Sequence, residues 1–247
     1  EIKESFCYLL VGHWMQGDFG EDRKNVGYTI KSFLEAFKNK PNPPALILKT
    51  MQVGTSIMDR NRILKKVDAL RKTVKGKLPN VYLMHGELSD TQVNDLYNHP
   101  KVKVMVSHTK GEGYGRPLAE FAAVGKPIIC SGWSGHTDFL SRNHTVLIGG
   151  ELREVHKSAT QKDMILAEAK WFYPSDAEVA KAYKETFKHY KKYALLAKQQ
   201  SKLVKDNFSY DKMVILLDAV LDTNVPEIPE QVSLTLPKLN LPKLEKI

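Results

Sequence analysis

Residues 112–120 read E-G-Y-G-R-P-L-A-E and place two carboxylates, Glu112 and Glu120, on either side of a glycine-rich turn. Pro117 suits the first turn of a helix and Gly125 suits its end, so a short helix is predicted over PLAEFAAV. The apolar run KVKVMVSH precedes the turn and is typical of a buried strand. The two carboxylates are therefore predicted to flank the entrance of a helix that follows a strand.

The amino end of that helix, near Gly115 and Arg116, is predicted to bind an anion. Its unpaired N–H groups would point at the ligand, and glycines such as Gly113 and Gly115 allow the ligand to approach the backbone closely. An anion in such a place gains roughly 0.3–1 kcal/mol, and up to about 2 kcal/mol when it is partly buried. A phosphate group fits this description.

The two glutamates need a different ligand chemistry, because their charge repels phosphate. Carboxylates accept hydrogen bonds from hydroxyl groups, and such charge-assisted bonds contribute about 1.5–3 kcal/mol each. A ligand with a diphosphate in the middle and a hydroxylated ring at each end satisfies both features. Nucleotide-sugars have this shape.

Short apolar runs alternate with helical patterns along the chain, which predicts strands that alternate with helices. The fold class predicted is α/β: a Rossmann-like, doubly wound parallel sheet of about six strands with C-terminal helices. In such sheets ligands bind beyond the carboxyl ends of the strands, where the strand-to-helix loops meet. The six predicted strands are SFCYLLVG, ALILKT, VYLMHG, KVKVMVSH, PIICSG and TVLIGG.

The predicted organisation is one nucleotide-sugar-binding domain over residues 1–222 and an extended Pro- and Leu-rich tail over residues 223–247. Within the domain, one long helical segment is predicted from Ala177 to Asn207, and a further helix is predicted in FSYDKMVILLDAVLD. The four prolines of the tail exclude a regular helix there.

Charge and composition indicate a cytoplasmic globular protein with no nucleic-acid partner. The net charge is +9, but many of the lysines accompany the apolar stripe of the segment 177–207, where they form a solvated flank. No apolar stretch approaches the roughly 20 residues that cross a bilayer. Cys7 and Cys130 both lie in strand-like runs and are predicted to be buried free thiols.

The turn and its surroundings resemble the E-x7-E motif of the retaining GT-B glycosyltransferases of the group 1 type (family 4). The family pattern reads here as VSHTKGEGYGRPLAEFAAVGKPIICSGWSGHTDFL. Upstream, FCYLLVGHWMQGDFGEDRKNVGYTIKSF resembles the opening of the family's nucleotide-binding domain, and VYLMHGELSDTQVNDLYNHPKVKV resembles its base-binding segment. The resemblance covers about residues 5–222 and identifies the C-terminal, donor-binding domain of the GT-B fold.

By this resemblance, Glu112 and Lys24 are the catalytic residues. Glu112 would bind hydroxyls of the donor sugar, and Lys24, with Arg23, would neutralise the departing pyrophosphate. Glu120 would bind the ribose hydroxyls.

The resemblance also implies further donor contacts. The phosphate would meet the backbone at Gly113, Gly115 and Arg116, the base would lie near Leu88, and His136 would contact the sugar. Two positions depart from the family. His13 stands where many relatives have an arginine, and Arg116 stands where an apolar residue is common, so Arg116 either replaces part of the lost charge or points to solvent.

The implied reaction is transfer of a hexosyl unit from a UDP- or GDP-sugar with retention of configuration, without a cofactor. No metal is expected, because no D-x-D pair occurs and the acidic residues Asp18, Glu21 and Asp22 suit a solvated loop. The resemblance also implies an N-terminal GT-B domain in cis, which would bind an acceptor that the sequence does not identify. Peripheral membrane association remains open.

Three rival functions remain open at the level of sequence. A non-catalytic nucleotide-binding or structural module of the same fold would bind without transfer. An NAD-dependent oxidoreductase would carry G-x-G-x-x-G after the first strand, whereas this chain carries G-x-G-x-G after the fourth. A glycoside hydrolase would use a pair of carboxylates without a nucleotide.

Overall fold

A computed structural model describes residues 1–15, 19–166 and 168–226, and its centre is a six-stranded parallel sheet. The strand order is β3-β2-β1-β4-β5-β6, which confirms the predicted fold class and all six predicted strands. Each strand is short and nearly continuous in apolar residues, as a sheet covered on both faces requires. The strands are β1 (Cys7–Val11), β2 (Ala45–Lys49), β3 (Val81–Met84), β4 (Val102–Ser107), β5 (Ile128–Ser131) and β6 (Val146–Ile148).

Helices cover both faces of the sheet. One face packs against α1, α2 and α5, and the other packs against α3, α4 and α6. Both cysteines lie in the sheet as buried free thiols, as predicted, and burial raises the pKa of Cys7 to about 11. The helices of this unit are α1 (Val26–Phe37), α2 (Ile57–Thr73), α3 (Asp90–Asn98), α4 (Arg116–Val124), α5 (Asp176–Lys188) and α6 (Tyr190–Asn207).

The sheet has its topological switch point between β1 and β4. The chain leaves β1 toward α1 on one face and leaves β4 toward α4 on the other, so the two loops diverge. A crevice opens between such loops at the carboxyl ends of the strands. The motif 112–120 begins in the loop after β4, on one side of this crevice.

The prediction of a single long helix from Ala177 to Asn207 is wrong, because the helix is interrupted at His189, between α5 and α6. His189 leaves the helical conformation at φ −114°, ψ 35°. The reason is tertiary: α5 packs on α1, whereas α6 packs on α4 on the opposite face. One straight helix cannot cover both faces, and the apolar periodicity hardly changes at the break.

A two-stranded antiparallel sheet, which the sequence did not predict, follows β6. It consists of β7 (Gly150–Glu154) and β8 (Lys170–Pro174). The Phe172 N–H donates to the Lys110 carbonyl oxygen at 3.0 Å, and the Phe172 ring stacks on Trp133 with centroids 6.5 Å apart. The hairpin is thereby attached to the loops that follow β4 and β5.

The chain divides into two compact units, residues 1–209 and residues 210–247. The second unit contains α7 (Tyr210–Asn224), which matches the predicted C-terminal helix and has no buried residue. The domain boundary predicted after residue 222 stays a prediction, and of the predicted tail only residues 223–226 are among those described. None of the described helices combines the length and apolar character needed to cross a membrane.

Tyr8 ties the central strand to α5. Its hydroxyl donates to the Tyr183 carbonyl oxygen at 2.8 Å and lies 3.0 Å from the Thr186 hydroxyl, in a fully buried environment. Burial raises the pKa of Tyr8 well above its ordinary value, so the hydroxyl stays protonated.

We expect Tyr8→Phe to lower the free energy of unfolding by about 1 kcal/mol, because a buried hydrogen bond is lost while the ring remains. Urea denaturation measures this change. Tyr210→Phe is the control, because Tyr210 is 82% exposed. Equal stabilities of the two variants would contradict the role given to the Tyr8 hydroxyl.

Candidate functional site

The centre of the candidate site is an ion pair between Lys24 and Glu112, which joins the two loops of the switch point. Lys24 precedes α1, and Glu112 precedes α4. The side chains of Lys24 and Glu112 are 19% and 8% exposed. Arg23 adds a second cation at 3.3 Å from the Glu112 carboxylate and also donates to the Gly111 carbonyl oxygen at 2.6 Å. The structure therefore brings together Arg23, Lys24 and Glu112.

The charge state of Glu112 follows from this pairing. Burial pushes the pKa of the carboxyl upward, but Lys24 first and then Arg23 lower it by more, so the pKa lies below its ordinary value of 4.5. Glu112 is therefore an ionised hydrogen-bond acceptor at neutral pH.

The backbone of Glu112 is held by the loop that follows β5. The Ser134 hydroxyl accepts from the Glu112 N–H at 2.9 Å and donates to its carbonyl oxygen at 2.6 Å. Gly135 donates its N–H to the same carbonyl oxygen at 3.1 Å. Ser134 has φ 84° and ψ −176°, a conformation that normally requires glycine and costs of order 1–3 kcal/mol. The contacts to Glu112 stabilise this strained conformation.

Helix α4 begins at the glycine turn, as predicted. Gly115 is its N-cap residue, with φ 89°, and Pro117 occupies its first turn. A Cβ atom at Gly115 would lie 3.2 Å from the His136 Cβ, so the turn packs closely against this histidine. A Cβ atom at Gly113 would meet nothing within 4 Å among the described residues. The turn thus has a buried side and an open side.

His136 lies beneath the turn and is fully buried. Its Nε2 is 2.6 Å from the Ser131 carbonyl oxygen, and burial lowers its pKa. The ring is therefore a neutral donor to Ser131 on that side. Its predicted contact with the donor sugar stays a prediction.

Glu120 lies one helical turn into α4 and faces α3. Its carboxylate is 3.3 Å from the Arg116 guanidinium and accepts from the Tyr97 hydroxyl at 3.3 Å. These residues line an open groove of about 400 Å³ between α3 and α4. Arg116 is 83% exposed, so it points to solvent rather than into the glycine turn. The predicted phosphate contact of Arg116 would therefore be made by its backbone and not by its side chain.

The two remaining predicted residues sit on neighbouring loops. His13 follows β1, is exposed, and places Nδ1 at 3.1 Å from the Gln52 carbonyl oxygen. Leu88 is half-buried and precedes Ser89, which caps α3 in a capping box with Gln92. The predicted roles of His13 and Leu88 stay predictions.

The acidic loop is not solvated as predicted at Glu21 and Asp22. Asp22 is fully buried and accepts from the Val26 N–H at 3.1 Å, which caps α1. Glu21 accepts from Lys110 at 2.9 Å and from the Tyr173 hydroxyl at 2.7 Å. Asp18 lies outside the described residues. Within the described ranges no group of three or more His, Cys, Asp or Glu side chains is arranged to hold a metal ion.

Sequence reasoning missed three residues that position the site: Ser134, Gly135 and Lys110. Lys110 is 1% exposed, and its ammonium lies 4.0 Å from the centre of the Tyr173 ring. Burial lowers the pKa of Lys110, while the hydrogen bond to Glu21 opposes this shift. The S-G pair was visible in the sequence, but its contact with Glu112 depends on the approach of two loops.

Residues 65–171 match the family described as glycosyl transferases group 1. The match includes the motif 112–120 and confirms the resemblance inferred from it. Among curated proteins, none matches the sequence.

Solved GT-B glycosyltransferases share the fold of this chain. HepE of Anabaena, crystallised with UDP and glucose, matches at 12% identity with a TM-score of 0.57, over 88% of this chain and 48% of that one. Sucrose-phosphate synthase of Thermosynechococcus elongatus matches at 16% identity with a TM-score of 0.58, over 88% of this chain and 45% of that one. The chain thus spans about half the length of these two proteins.

The third similar structure is a single domain. It is the C-terminal domain of LpcC, a glycosyl transferase group 1 family protein of Francisella tularensis. It matches at 11% identity with a TM-score of 0.56, over 85% of this chain and 89% of that domain. The fold of this chain is therefore that of a GT-B half, as predicted.

We expect Lys24→Met to destabilise the protein in a pH-dependent way. Because the pKa of Glu112 is lowered in the folded state, its stabilisation is present above about pH 4.5 and is lost as the pH falls through the lowered pKa. Without Lys24, only Arg23 would remain to offset burial, so the pKa of Glu112 would rise and its carboxylate would be less stable at neutral pH. The variant should lose about 3 kcal/mol at pH 7 and clearly less at pH 4, as thermal melts across this range would measure.

Lys24→Arg is the matched control, because it keeps the positive charge beside Glu112. Its stability should follow that of the wild type across the same pH range. A loss for Lys24→Met that is equal at pH 4 and pH 7 would contradict the electrostatic account.

We expect Gly135→Ala to disrupt the loop, because a Cβ atom there would overlap the Gly113 carbonyl oxygen. The loss of stability should be about 3 kcal/mol or more, since two backbone segments would have to separate. Gly113→Ala is the control, because a Cβ atom there meets open space. Thermal melts compare the two, and similar melting temperatures would contradict the contact.

Proposed function

We propose that this chain is the donor-binding half of a glycosyltransferase that uses a nucleoside-diphosphate sugar. The observation that carries the proposal is the pair Lys24–Glu112 at the switch point, beside the amino end of α4. The pair presents one cation and one ionised acceptor within the same small volume. A nucleotide-sugar needs both, because the cation binds the diphosphate and the acceptor binds the sugar hydroxyls.

In this proposal Lys24 stabilises the departing diphosphate. When the bond between the anomeric carbon and the phosphate oxygen breaks, the oxygen keeps the electron pair and negative charge develops on the diphosphate. The Lys24 ammonium has three N–H donors, so it can donate to a phosphate oxygen while it still pairs with Glu112. The amino end of α4 contributes a further partial positive charge.

Glu112 orients the sugar ring. An ionised carboxylate that is only 8% exposed accepts hydroxyl hydrogen bonds without strong competition from water. Its backbone contacts to Ser134 and Gly135 fix its position relative to the turn. His136 is left out of the direct contacts, because its ring is buried under the same turn.

Glu120 binds the ribose hydroxyls, and the segment near Leu88 binds the base. The groove between α3 and α4 exposes 40% of the Glu120 side chain, which leaves room for a hydroxyl pair. UDP is the nucleotide we favour, because HepE, which shares the fold, was crystallised with UDP and glucose. We propose retention of configuration and metal independence on the family resemblance.

In this proposal the acceptor is bound mainly by a second GT-B domain. The chain spans about half of two similar enzymes, and two GT-B domains face each other across a cleft. We therefore infer that residues 1–247 bind the donor and need that partner domain for efficient transfer.

We expect the chain to bind UDP more tightly than GDP or ADP, as isothermal titration calorimetry would measure. Glu120→Ala should weaken UDP binding about tenfold or more. A charge-assisted pair of hydrogen bonds to the ribose would be lost, and one such bond contributes about 1.5–3 kcal/mol.

Glu35→Ala is the matched control. The Glu35 side chain is 41% exposed and paired with Lys38 on the same helix, much as Glu120 is 40% exposed and paired with Arg116. It should bind UDP like the wild type. Absence of nucleotide binding by the wild type, or equal binding by Glu120→Ala, would overturn the proposal.

A further inference from the structure

Side chains from two neighbouring elements hold the loop that follows β3. This loop, residues 85–88, contains Leu88 and leads into Ser89, the N-cap residue of α3. Helix α3 in turn lines the groove that contains Glu120. The position of the loop is therefore tied to one wall of that groove.

Lys49 connects this loop to the sheet. It is the last residue of β2, and in the pairing of β2 with β3 it lies opposite Met84. Its ammonium donates a hydrogen bond to the Gly86 carbonyl oxygen in the loop after β3. The side chain is half-buried, and burial lowers the pKa of Lys49, while the neighbouring Glu87 carboxylate opposes this shift. Lys49 thus fixes the middle of the loop from the adjacent strand.

Both ends of the loop are anchored as well. His85 places Nε2 at 2.9 Å from the Asp59 carboxylate of α2, and the two side chains are only 7% and 9% exposed. At the other end, the Ser89 N–H donates to the Gln92 side chain at 2.9 Å. Between these anchors, Gly86 has φ 106°, which favours glycine. A Cβ atom at Gly86 would meet nothing within 4 Å among the described residues, so glycine is needed there for its backbone conformation alone.

Glu87 and Leu88 are the loop residues whose backbone groups stay available. Among the residues that the structure describes, none of their N–H and C=O groups forms a hydrogen bond with the protein. The edge of a nucleobase likewise carries hydrogen-bond donors and acceptors at a fixed spacing. Because the edge of a purine lies farther from its ribose than that of a pyrimidine, a fixed segment distinguishes the two, whereas a mobile segment would adapt to either.

We propose that Lys49 is a positioning residue for the nucleobase, which holds Glu87 and Leu88 where their backbone recognises a pyrimidine. This role rests on the proposed function, in which the base lies near Leu88 and the ribose binds Glu120. Lys49 acts through the Gly86 carbonyl group and not by contact with the base. It therefore sets the preference among bases, while the ribose and the diphosphate are held by other residues.

Calorimetry on the full chain with UDP, GDP, ADP and inorganic pyrophosphate tests this role. Lys49→Met keeps an apolar stem of similar length but cannot donate to Gly86. We expect the affinity for UDP to fall about tenfold or more, the affinities for GDP and ADP to change less than about threefold, and pyrophosphate binding to stay unchanged. A merely structural role of Lys49 would weaken all four ligands alike.

Lys49→Arg is the rescue variant, because a guanidinium can donate to the same carbonyl oxygen. It should keep the preference for UDP to within about threefold of the wild type. Lys101→Met is the matched control. Lys101 is also half-buried and donates to a backbone carbonyl oxygen, that of Ile2, but it precedes β4 at the opposite edge of the sheet. It should bind all four ligands like the wild type.

Gly86→Ala is a second test that leaves Lys49 unchanged. Its Cβ meets open space, so the variant acts on the loop only through the backbone conformation. It should lower the preference for UDP over GDP and ADP about threefold or more, and it decides the question if Lys49→Met folds poorly.

Glu120→Ala, measured in the same series, separates this role from the donor site. If Glu120→Ala weakens UDP binding while Lys49→Met and Gly86→Ala keep the wild-type preference, the donor site stands and the positioning role is overturned. If the preference is lost in both loop variants while Glu120→Ala binds UDP like the wild type, the positioning role stands and the ribose assignment is overturned. Equal weakening of all four ligands by Lys49→Met, or no preference in the wild type, would overturn the positioning role. A wild type that binds no nucleotide would overturn both.

Discussion

The Lys24–Glu112 ion pair is the constraint on which the rest of the site depends. A carboxylate that is 8% exposed costs several kcal/mol of desolvation unless a cation lies beside it. Lys24 reaches it from the loop after β1, and Glu112 lies in the loop after β4, so the pair spans the point where the sheet reverses its winding. The positions of α1 and α4 are coupled through this contact.

Two further sets of contacts hold the two loops together, and each involves a segment later in the chain. Ser134 and Gly135 hold the backbone of Glu112 from the loop after β5. Lys110 and Glu21 connect the same two loops at a second point, where the Tyr173 hydroxyl of β8 also donates to Glu21. The site is thus built by the three loops after β1, β4 and β5, each of which contributes a charged or strained residue, together with Tyr173 of β8.

The sequence predicted the sheet, its six strands and the start of α4. The signals for these elements are local: short apolar runs that alternate with helical patterns, and glycine and proline residues at the turns. It also predicted that Glu112 and Lys24 act together, but only through the family resemblance. The break at His189 was not predictable, because the apolar periodicity of 177–207 hardly changes there and the break arises from the change of sheet face. Nor could the sequence show that Glu21 and Asp22 are engaged. A solvated acidic loop and a buried helix cap contain the same residue types. Only the folded contacts distinguish them, namely Lys110 beside Glu21 and the first N–H of α1 on Asp22.

The charge balance of the proposed donor site explains why the helix end is needed as well as the lysine. Arg23 and Lys24 contribute two positive charges and Glu112 one negative charge, so the side chains together carry one positive charge. A diphosphate diester brings about two negative charges, and a third develops as the sugar leaves. The amino end of α4 supplies roughly half a positive charge at the glycine turn, where Gly113 faces open space. In the family pattern an arginine often follows the first strand, but this chain has His13 there. In the proposed site the helix end would therefore have to supply part of the charge that His13 does not provide.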